Sequence, residues 1–165
     1  MIVADTSALI SLEIADCLGH ALEEFDISTT EIVIDELEDT ATFDDSHGRA
    51  ADRVLDMTSD LLIHPYDSPP VASSRIDAGE GSCIALISEI EPDFFLTDDL
   101  RALPELERLV DVHVAISPIL IKALVTRDVL TQEDPVNRLE QLTAARGWLG
   151  TPIYRRAKRI FESDR

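Results

Sequence analysis

The chain has 165 residues, 45% of them apolar and 28% charged, with 33 acidic and 14 basic side chains and a formal net charge of −19. That length fits one domain of about 100 to 200 residues, and the apolar content excludes a disordered acidic chain. Apolar runs of only a few residues exclude a membrane span, and the start lacks the basic region and long apolar stretch of a secretory leader, so a cytoplasmic location is expected.

Cys17 and Cys83 are the only cysteines; far apart and without metal-type spacing, they read as buried thiols. Charge is unevenly spread, with 24 acids and 3 bases in residues 1–100 against 9 acids and 11 bases in residues 101–165. Twelve arginines accompany only two lysines, Lys122 and Lys158. An acidic, lysine-poor surface of this kind points to adaptation to high salt and a halophilic source. One residue in five is acidic, so only acids that break a local rule are informative. By charge alone the chain is a poor polyanion binder.

In chain order, Met1 to Ala4 is a short apolar strand, and Ser7 to Asp16 has apolar residues at helical spacing. A strand at Ile27 to Thr29 leads into a helix from Thr30 to Glu38, with Thr29 or Thr30 as N-cap. Phe43 to Gly48 is a polar connection, Arg49 to Thr58 a helix, Leu61 to Ile63 a strand and Pro65 to Ser74 a loop. Ala78 to Ile90 is a strong helix, followed by a strand at Phe94 to Leu96 and a turn at Thr97-Asp98-Asp99. A short helix at Leu103 to Leu109 and a strand at Val112 to Ala115 come next. A helix from Pro118 to Arg127 opens a helical tail with breaks near Thr131, Gly147 and Gly150. Apolar strands alternating with helices predict an α/β fold, a three-layer α/β/α sandwich around a parallel sheet. Residues 1–125 form the expected principal domain, and residues 126–165 a helical extension packed on it.

Four acids depart from the solvated background. Asp5 ends the first strand, where the ligand crevice of an open parallel sheet lies, although a helix N-cap explains it equally well. Asp98 and Asp99 leave the Phe94 to Thr97 run at the same sheet edge if the strands are parallel, with an Asp-rich turn as the alternative. Glu80 opens its helix on the face of Cys83, Ile84 and Ile87, the inward face. Glu36 lies four residues after Ile32 and three after Val33, away from the solvent stripe of Glu31, Asp35, Glu38 and Asp39. A carboxylate there needs a partner, an ion pair with Arg49 or Arg53 being the simplest.

If these acids converge, their repulsion calls for a cation. Oxygen-only ligands suit Mg²⁺ or Mn²⁺. His20, His47, His64 and His113 are too scattered for zinc. Such a site favours phosphodiester hydrolysis, and a bound cation resolves the charge objection to a phosphate substrate.

The segments Val3-Ala4-Asp5-Thr6-Ser7-Ala8-Leu9, Val33-Ile34-Asp35-Glu36-Leu37, Asp77-Ala78-Gly79-Glu80 and Leu96-Thr97-Asp98-Asp99-Leu100-Arg101 resemble, in this order, the PIN-domain nucleases, including the VapC-type toxins. The resemblance covers residues 1–125. It implies an endoribonuclease with Mg²⁺ or Mn²⁺ held by Asp5, Glu36, Glu80 and Asp98, which would also be the catalytic residues. Asp99 replaces or assists Asp98, and Thr6, Ser7 and Thr97 support the ligands. An RNA substrate, an antitoxin protein and a homodimer are the implied partners. Glu80 stands where the commonest toxin pattern has Asp, so an RNA-processing role competes with a toxin role.

The basic cluster Arg146, Arg155, Arg156, Lys158 and Arg159 encloses Trp148 and Tyr154. It suits an RNA-backbone clamp with stacking aromatics, but packing of the tail onto the acidic body is the simpler reading. Two rival functions are a catalytically silent PIN-like module that binds RNA or protein, and an aspartyl-phosphate enzyme. The second is disfavoured by Ser7, where a haloacid-dehalogenase-like phosphatase needs a second Asp. A response-regulator receiver is disfavoured by the lack of a suitably placed lysine.

Overall fold

The computed structural model describes residues 1–67, 71, 73–131 and 134–162. Its strands are β1 (Ile2–Ala4), β2 (Ile27–Thr30), β3 (Leu62–His64), β4 (Phe94–Leu96) and β5 (His113–Ala115). Between and after them run α1 (Thr6–Ile14), α2 (Leu18–Glu24), α3 (Glu31–Ala41), α4 (Ser46–Asp56), α5 (Ala78–Ile90), α6 (Leu103–Leu109), α7 (Ser117–Thr126), α8 (Asp134–Arg146) and α9 (Pro152–Glu162). The strands form one parallel sheet in the order β3-β2-β1-β4-β5, the expected three-layer sandwich.

From β1 the chain steps outward through β2 to β3, then crosses over and steps the other way through β4 to β5. Right-handed crossovers therefore place the helices of the first half on one face and α5 and α6 on the other. The order reverses between β1 and β4, and the carboxyl ends of those two strands flank the crevice that such a reversal opens. Pairing runs from Ile2 opposite Phe94 to Ala4 opposite Leu96. It continues as Asp5 N–H donates to Leu96 O at 3.1 Å and Thr97 N–H to Ala115 O at 3.0 Å.

Burial follows position in the sheet. β1 and β2 are wholly buried, whereas edge strand β3 exposes Leu62 and Ile63. β2 is buried although three of its four residues are Ser or Thr. Its hydroxyls are satisfied internally: Thr29 Oγ1 donates to Ala4 O at 2.8 Å, and Thr30 and Ser82 share a 2.6 Å hydrogen bond. Phe95, Leu9, Leu12, Ile27, Leu96 and Leu106 are among the fully buried side chains of the main core.

Two local differences from the sequence reading have simple causes. α2 fills a stretch with no assigned element; it is only seven residues long and Cys17 offers it no side-chain cap. α4 begins inside the expected polar connection because Asp45 accepts from Gly48 N–H at 2.8 Å and caps it. In the expected Pro65 to Ser74 loop, residues 68–70 and 72 lie outside the described residues. Cys17 and Cys83 are buried and unbridged.

The tail turns between α8 and α9 at Gly147 and Gly150, with φ of 64° and 78°, backbone that glycine adopts at little cost. A second apolar cluster of Ile116, Leu139, Leu142, Trp148, Ile153 and Ala157 joins it to the end of β5. Arg138 Nη1 donates to Ala15 O at 2.7 Å and Asp16 O at 2.6 Å, anchoring α8 beside α1. Among the described residues no helix is long and apolar enough to cross a membrane.

Phe95 is fully buried at the centre of the sheet. Phe95→Ala should cost about 3–5 kcal/mol, read as a lowered urea midpoint, whereas Leu149→Ala, at an exposed position, should change stability by less than about 0.5 kcal/mol.

Candidate functional site

The end of β1 supplies the first carboxylate. Asp5 is the N-cap of α1, with Oδ1 accepting from Ala8 N–H at 2.9 Å. The same oxygen accepts from Ser7 Oγ at 2.7 Å. Capping and site geometry are thus one arrangement, because the bonds that start the helix also fix the carboxylate at the strand end. Ser7 Oγ also accepts from Asp98 N–H at 2.8 Å, which ties the chain leaving β4 to the start of α1.

The second comes from the middle of α3. Glu36 is held by neither Arg49 nor Arg53, whose ion-pair partners are Asp44 and Glu13. Its Oε2 accepts from Thr6 Oγ1 at 2.5 Å and its Oε1 from Gly79 N–H at 2.8 Å. Gly79 lies in the first turn of α5, where backbone N–H groups lack intrahelical partners and the helix dipole favours negative charge. A Cβ on residue 79 would overlap the Glu36 carboxylate. The glycine of the Asp77-Ala78-Gly79-Glu80 motif thus leaves room for the Glu36 carboxylate in this position, and a larger residue would push it away from the N–H it accepts from.

The third follows directly. Asp77 caps α5 by accepting from Glu80 N–H at 2.8 Å, and Glu80 Oε2 accepts from Asp77 N–H at 3.0 Å, a reciprocal capping box. Glu80 is only 2% exposed, in keeping with its place on the inward face.

For the fourth, the sequence offers Asp98 with Asp99 to replace or assist it, and the two lie in different places. Asp98, the residue expected beside Asp5, is 6% exposed and accepts from Ser117 N–H at 2.8 Å and Ser117 Oγ at 2.7 Å. It does not line the cavity that contains Asp5, Glu36 and Glu80; Asp99 does. Ala4 pairs with Leu96, so Thr97 lies level with Asp5. Beyond it the chain leaves the sheet, with Asp98 bonded to Ser117 and Asp99 on the cavity wall at the turn toward α6. Thr97 Oγ1 accepts from Asp99 N–H at 3.2 Å, and Arg101 bonds the Asp99 carboxylate through N–H at 2.8 Å, Nε at 3.3 Å and Nη2 at 3.1 Å.

The cavity has a volume of about 510 Å³, and Asp5, Thr6, Ser7, Glu36, Asp77, Glu80 and Asp99 are on its wall, with Asp39, His47 and Arg146. His47 and Arg146 enter from α4 and from the end of α8; their chain positions carried no signal of this, since neither belongs to a motif shared with the acids. Of the five basic tail residues, only Arg146 reaches this cavity. Trp148 is buried in the tail cluster and Tyr154 packs against it, so the indole is wall rather than stacking platform.

The electrostatics are those of uncompensated acids. Burial pushes Asp5 up to about 7, against the lowering effect of its hydrogen bonds, with Asp98 adding repulsion. Glu80 is pushed up to about 8, first by burial and then by Asp77, Asp5 and Asp99. Glu36 and Asp98 are raised as well, chiefly by burial. For Asp99, burial raises the pKa but the Arg101 contacts outweigh it and hold the carboxyl below its usual range. His47 is lowered by burial and by Arg146.

Among the described residues no three Asp, Glu, His or Cys side chains form a ready-made metal cluster. The carboxylates sit around the wall instead of meeting at one point. The donor chemistry nevertheless fits a hard divalent cation: oxygen ligands only, in a cavity where Asp5, Glu36 and Glu80 are held by hydroxyls and amides without a salt bridge.

A parallel α/β/α sandwich with carboxylates gathered at the strand ends of its reversal point has a nuclease-type architecture. A family model described as PIN domain matches residues 1–163, and the chain belongs to the PIN-domain family, whose members are generally nucleases. No curated protein matches it.

The raised acids set a pH dependence. Asp5 and Glu80 hold protons in the folded state that they release in the unfolded one, so their contribution is fully present below about pH 4 and declines as pH rises toward their folded values. The ion-free protein should therefore lose urea resistance between pH 5 and pH 8. Asp5→Asn and Glu80→Gln together should flatten that decline; an undiminished slope in the double variant would show that these groups are not its source.

Proposed function

We propose that the chain is a Mg²⁺- or Mn²⁺-dependent endoribonuclease that hydrolyses RNA phosphodiester bonds at the pocket of Asp5, Glu36, Glu80 and Asp99. The observation that carries the reading is that these carboxylates come from four separate parts of the chain to one cavity, and that three of them lack a cationic side-chain partner. Membership of the PIN-domain family supports the class of reaction.

Asp5, Glu36, Glu80 and Asp99 would hold the ion. Its chemistry when bound is to polarise the phosphodiester and to favour ionisation of the attacking water. To hold it, Asp5 and Glu80 would have to be ionised, so ion binding would release the protons that burial favours on them. Thr6 Oγ1 and Gly79 N–H keep Glu36 oriented through bonds to both of its oxygens. Ser7 holds Asp5 and the backbone of Asp98 at once, fixing the spacing of the two strand ends. Asp98 is a positioning residue in this reading, locking β4 to the first turn of α7 through Ser117. Hydrolysis forms a P–O bond to the attacking water, which loses a proton to solvent, and breaks the P–O bond to the departing oxygen, which takes a proton from solvent.

Single-stranded RNA of mixed sequence should be cut with Mn²⁺ or Mg²⁺ and left intact with a chelator. Asp5→Asn, Glu80→Gln and Asp99→Asn should each lower kcat by about 10²-fold or more, the size of effect seen when a group stabilising transition-state charge is removed. Asp98→Asn should mainly lower the melting temperature. Equal cutting by wild type and all variants would assign the activity to a contaminant and overturn the reading. A melting temperature that rises with Mn²⁺ at pH 7.5 in wild type but not in Asp5→Asn/Glu80→Gln would report ion binding independently of turnover.

A further inference from the structure

Beside the acidic pocket lies a second cavity of about 620 Å³ between the chain that follows β4 and the turn joining α8 to α9. Its wall includes Arg101, Arg146 and Arg156, with Leu100, Trp148 and Pro152, and one carboxylate, Asp98, whose two oxygens are taken by Ser117 N–H and Oγ. Arg146 also lines the acidic pocket, so the two spaces share a wall. Arg101 lines both this cavity and a third space beside Glu80 and Asp99, in which Ser73, Ser74 and Arg75 also take part.

Three guanidinium groups around one cavity are unexpected on a chain with 33 acids and 14 bases. Arg49, Arg53, Arg101, Arg127, Arg138 and Lys158 all form ion pairs with nearby acids. Among the described residues Arg138, Arg146 and Arg156 are the half-buried arginines. Arg138 spends its guanidinium on backbone carbonyls of α1's end. Arg146 and Arg156 are in no salt bridge or side-chain hydrogen bond among the described residues; Arg146 feels the charge of Asp98 on the same wall without bonding to it, and that carboxylate is bonded to Ser117 instead. A half-buried arginine that leaves its donors unused in so acidic a molecule is placed for an anion from outside, and the planar guanidinium suits phosphate oxygens.

We propose that this cavity binds the phosphodiester backbone of the substrate strand next to the scissile bond, with Arg146 and Arg156 as its phosphate ligands and Arg101 at its mouth. The inference rests on the nuclease reading and extends it by giving the strand a direction, from the acidic pocket over Arg146 toward the start of α9. Pro152 and Thr151 bring the first turn of α9 to the same wall, where its dipole adds to the attraction for phosphate. Leu100 offers apolar surface on the same wall. Arg155 and Arg159, exposed on α9, do not line this cavity.

The test is fluorescence anisotropy of a labelled 12-nucleotide single-stranded RNA with Mn²⁺ present, in an Asp5→Asn background that keeps the RNA intact. Arg146→Gln/Arg156→Gln should weaken binding about tenfold or more and reduce the slope of log K against log salt by about 1.4, two phosphate contacts at about 0.7 each. Arg155→Gln/Arg159→Gln should change binding by less than about twofold at fixed salt. Arg146→Lys/Arg156→Lys, which keeps both charges, should retain the salt slope and guards against a folding defect in the Gln pair. Unchanged binding by the Gln pair, while wild type still cuts the same RNA with Mn²⁺, would overturn this site and leave the nuclease reading standing. A nucleoside monophosphate competing as well as the RNA would overturn the polynucleotide assignment. Wild type that neither cuts nor binds the RNA would overturn both.

Discussion

The bond on which the site depends is the one from Gly79 N–H to Glu36 Oε1, 2.8 Å across the junction of α3 and α5. It fastens a carboxylate from the middle of one helix to the open end of another and satisfies a backbone donor that the helix itself cannot. It also compensates a half-buried charge without a cation. The same logic recurs at Asp5, bound by Ala8 N–H and Ser7 Oγ, and at Glu80, bound by Asp77 N–H. An arginine in any of these places would have satisfied the carboxylate and occupied the space a metal ion needs. Amides and hydroxyls stabilise the charge only in part, and the residue of that imbalance is visible in the raised values of Asp5 and Glu80.

The sheet makes this possible by its order. With β1 and β4 adjacent and parallel, the residues just beyond them emerge side by side at the reversal point, and the following helices present their first turns there. Ser7 joins the two exits directly. Because pairing register is inherited by the residues that follow, one position decides which acid faces the pocket. Asp98 is drawn under Ser117 and steadies the exit of β4, while Asp99 returns to the pocket side and is tempered by Arg101. Two adjacent aspartates thus divide a structural task from a site-forming one.

Much of this was legible from spacing. The alternation of apolar strands and helices gave the sandwich, and the departure of Glu36 from its solvent stripe marked it as a carboxylate with a partner to find. The partner was not legible, because a backbone amide leaves no trace in side-chain composition. The choice between Asp98 and Asp99 needed the register of β1 on β4, which a local pattern does not contain. α2 escaped for a related reason, since seven residues show fewer than two turns of periodicity. Trp148 looked like an aromatic among basic residues, yet its contacts with Leu139, Leu142 and Ile153 depend on how the tail folds back.

The tail bears on how so acidic a molecule would meet the phosphate substrate proposed for it. A net charge of −19 opposes long-range attraction of a polyanion, and molar salt would screen any such attraction within about 3 Å. Recognition then has to come from contacts made at close range, where desolvated guanidinium groups are strongest. The turn between α8 and α9 brings Arg146 and Arg156 to one cavity and leaves Arg155 and Arg159 facing solvent. Of the basic cluster, only the members that the tail's own packing holds against the body share a wall with the acidic pocket or its neighbour. Packing of the tail and the binding proposed for it are therefore compatible: the apolar cluster around Trp148 holds the turn that carries Arg146 and leads to Arg156.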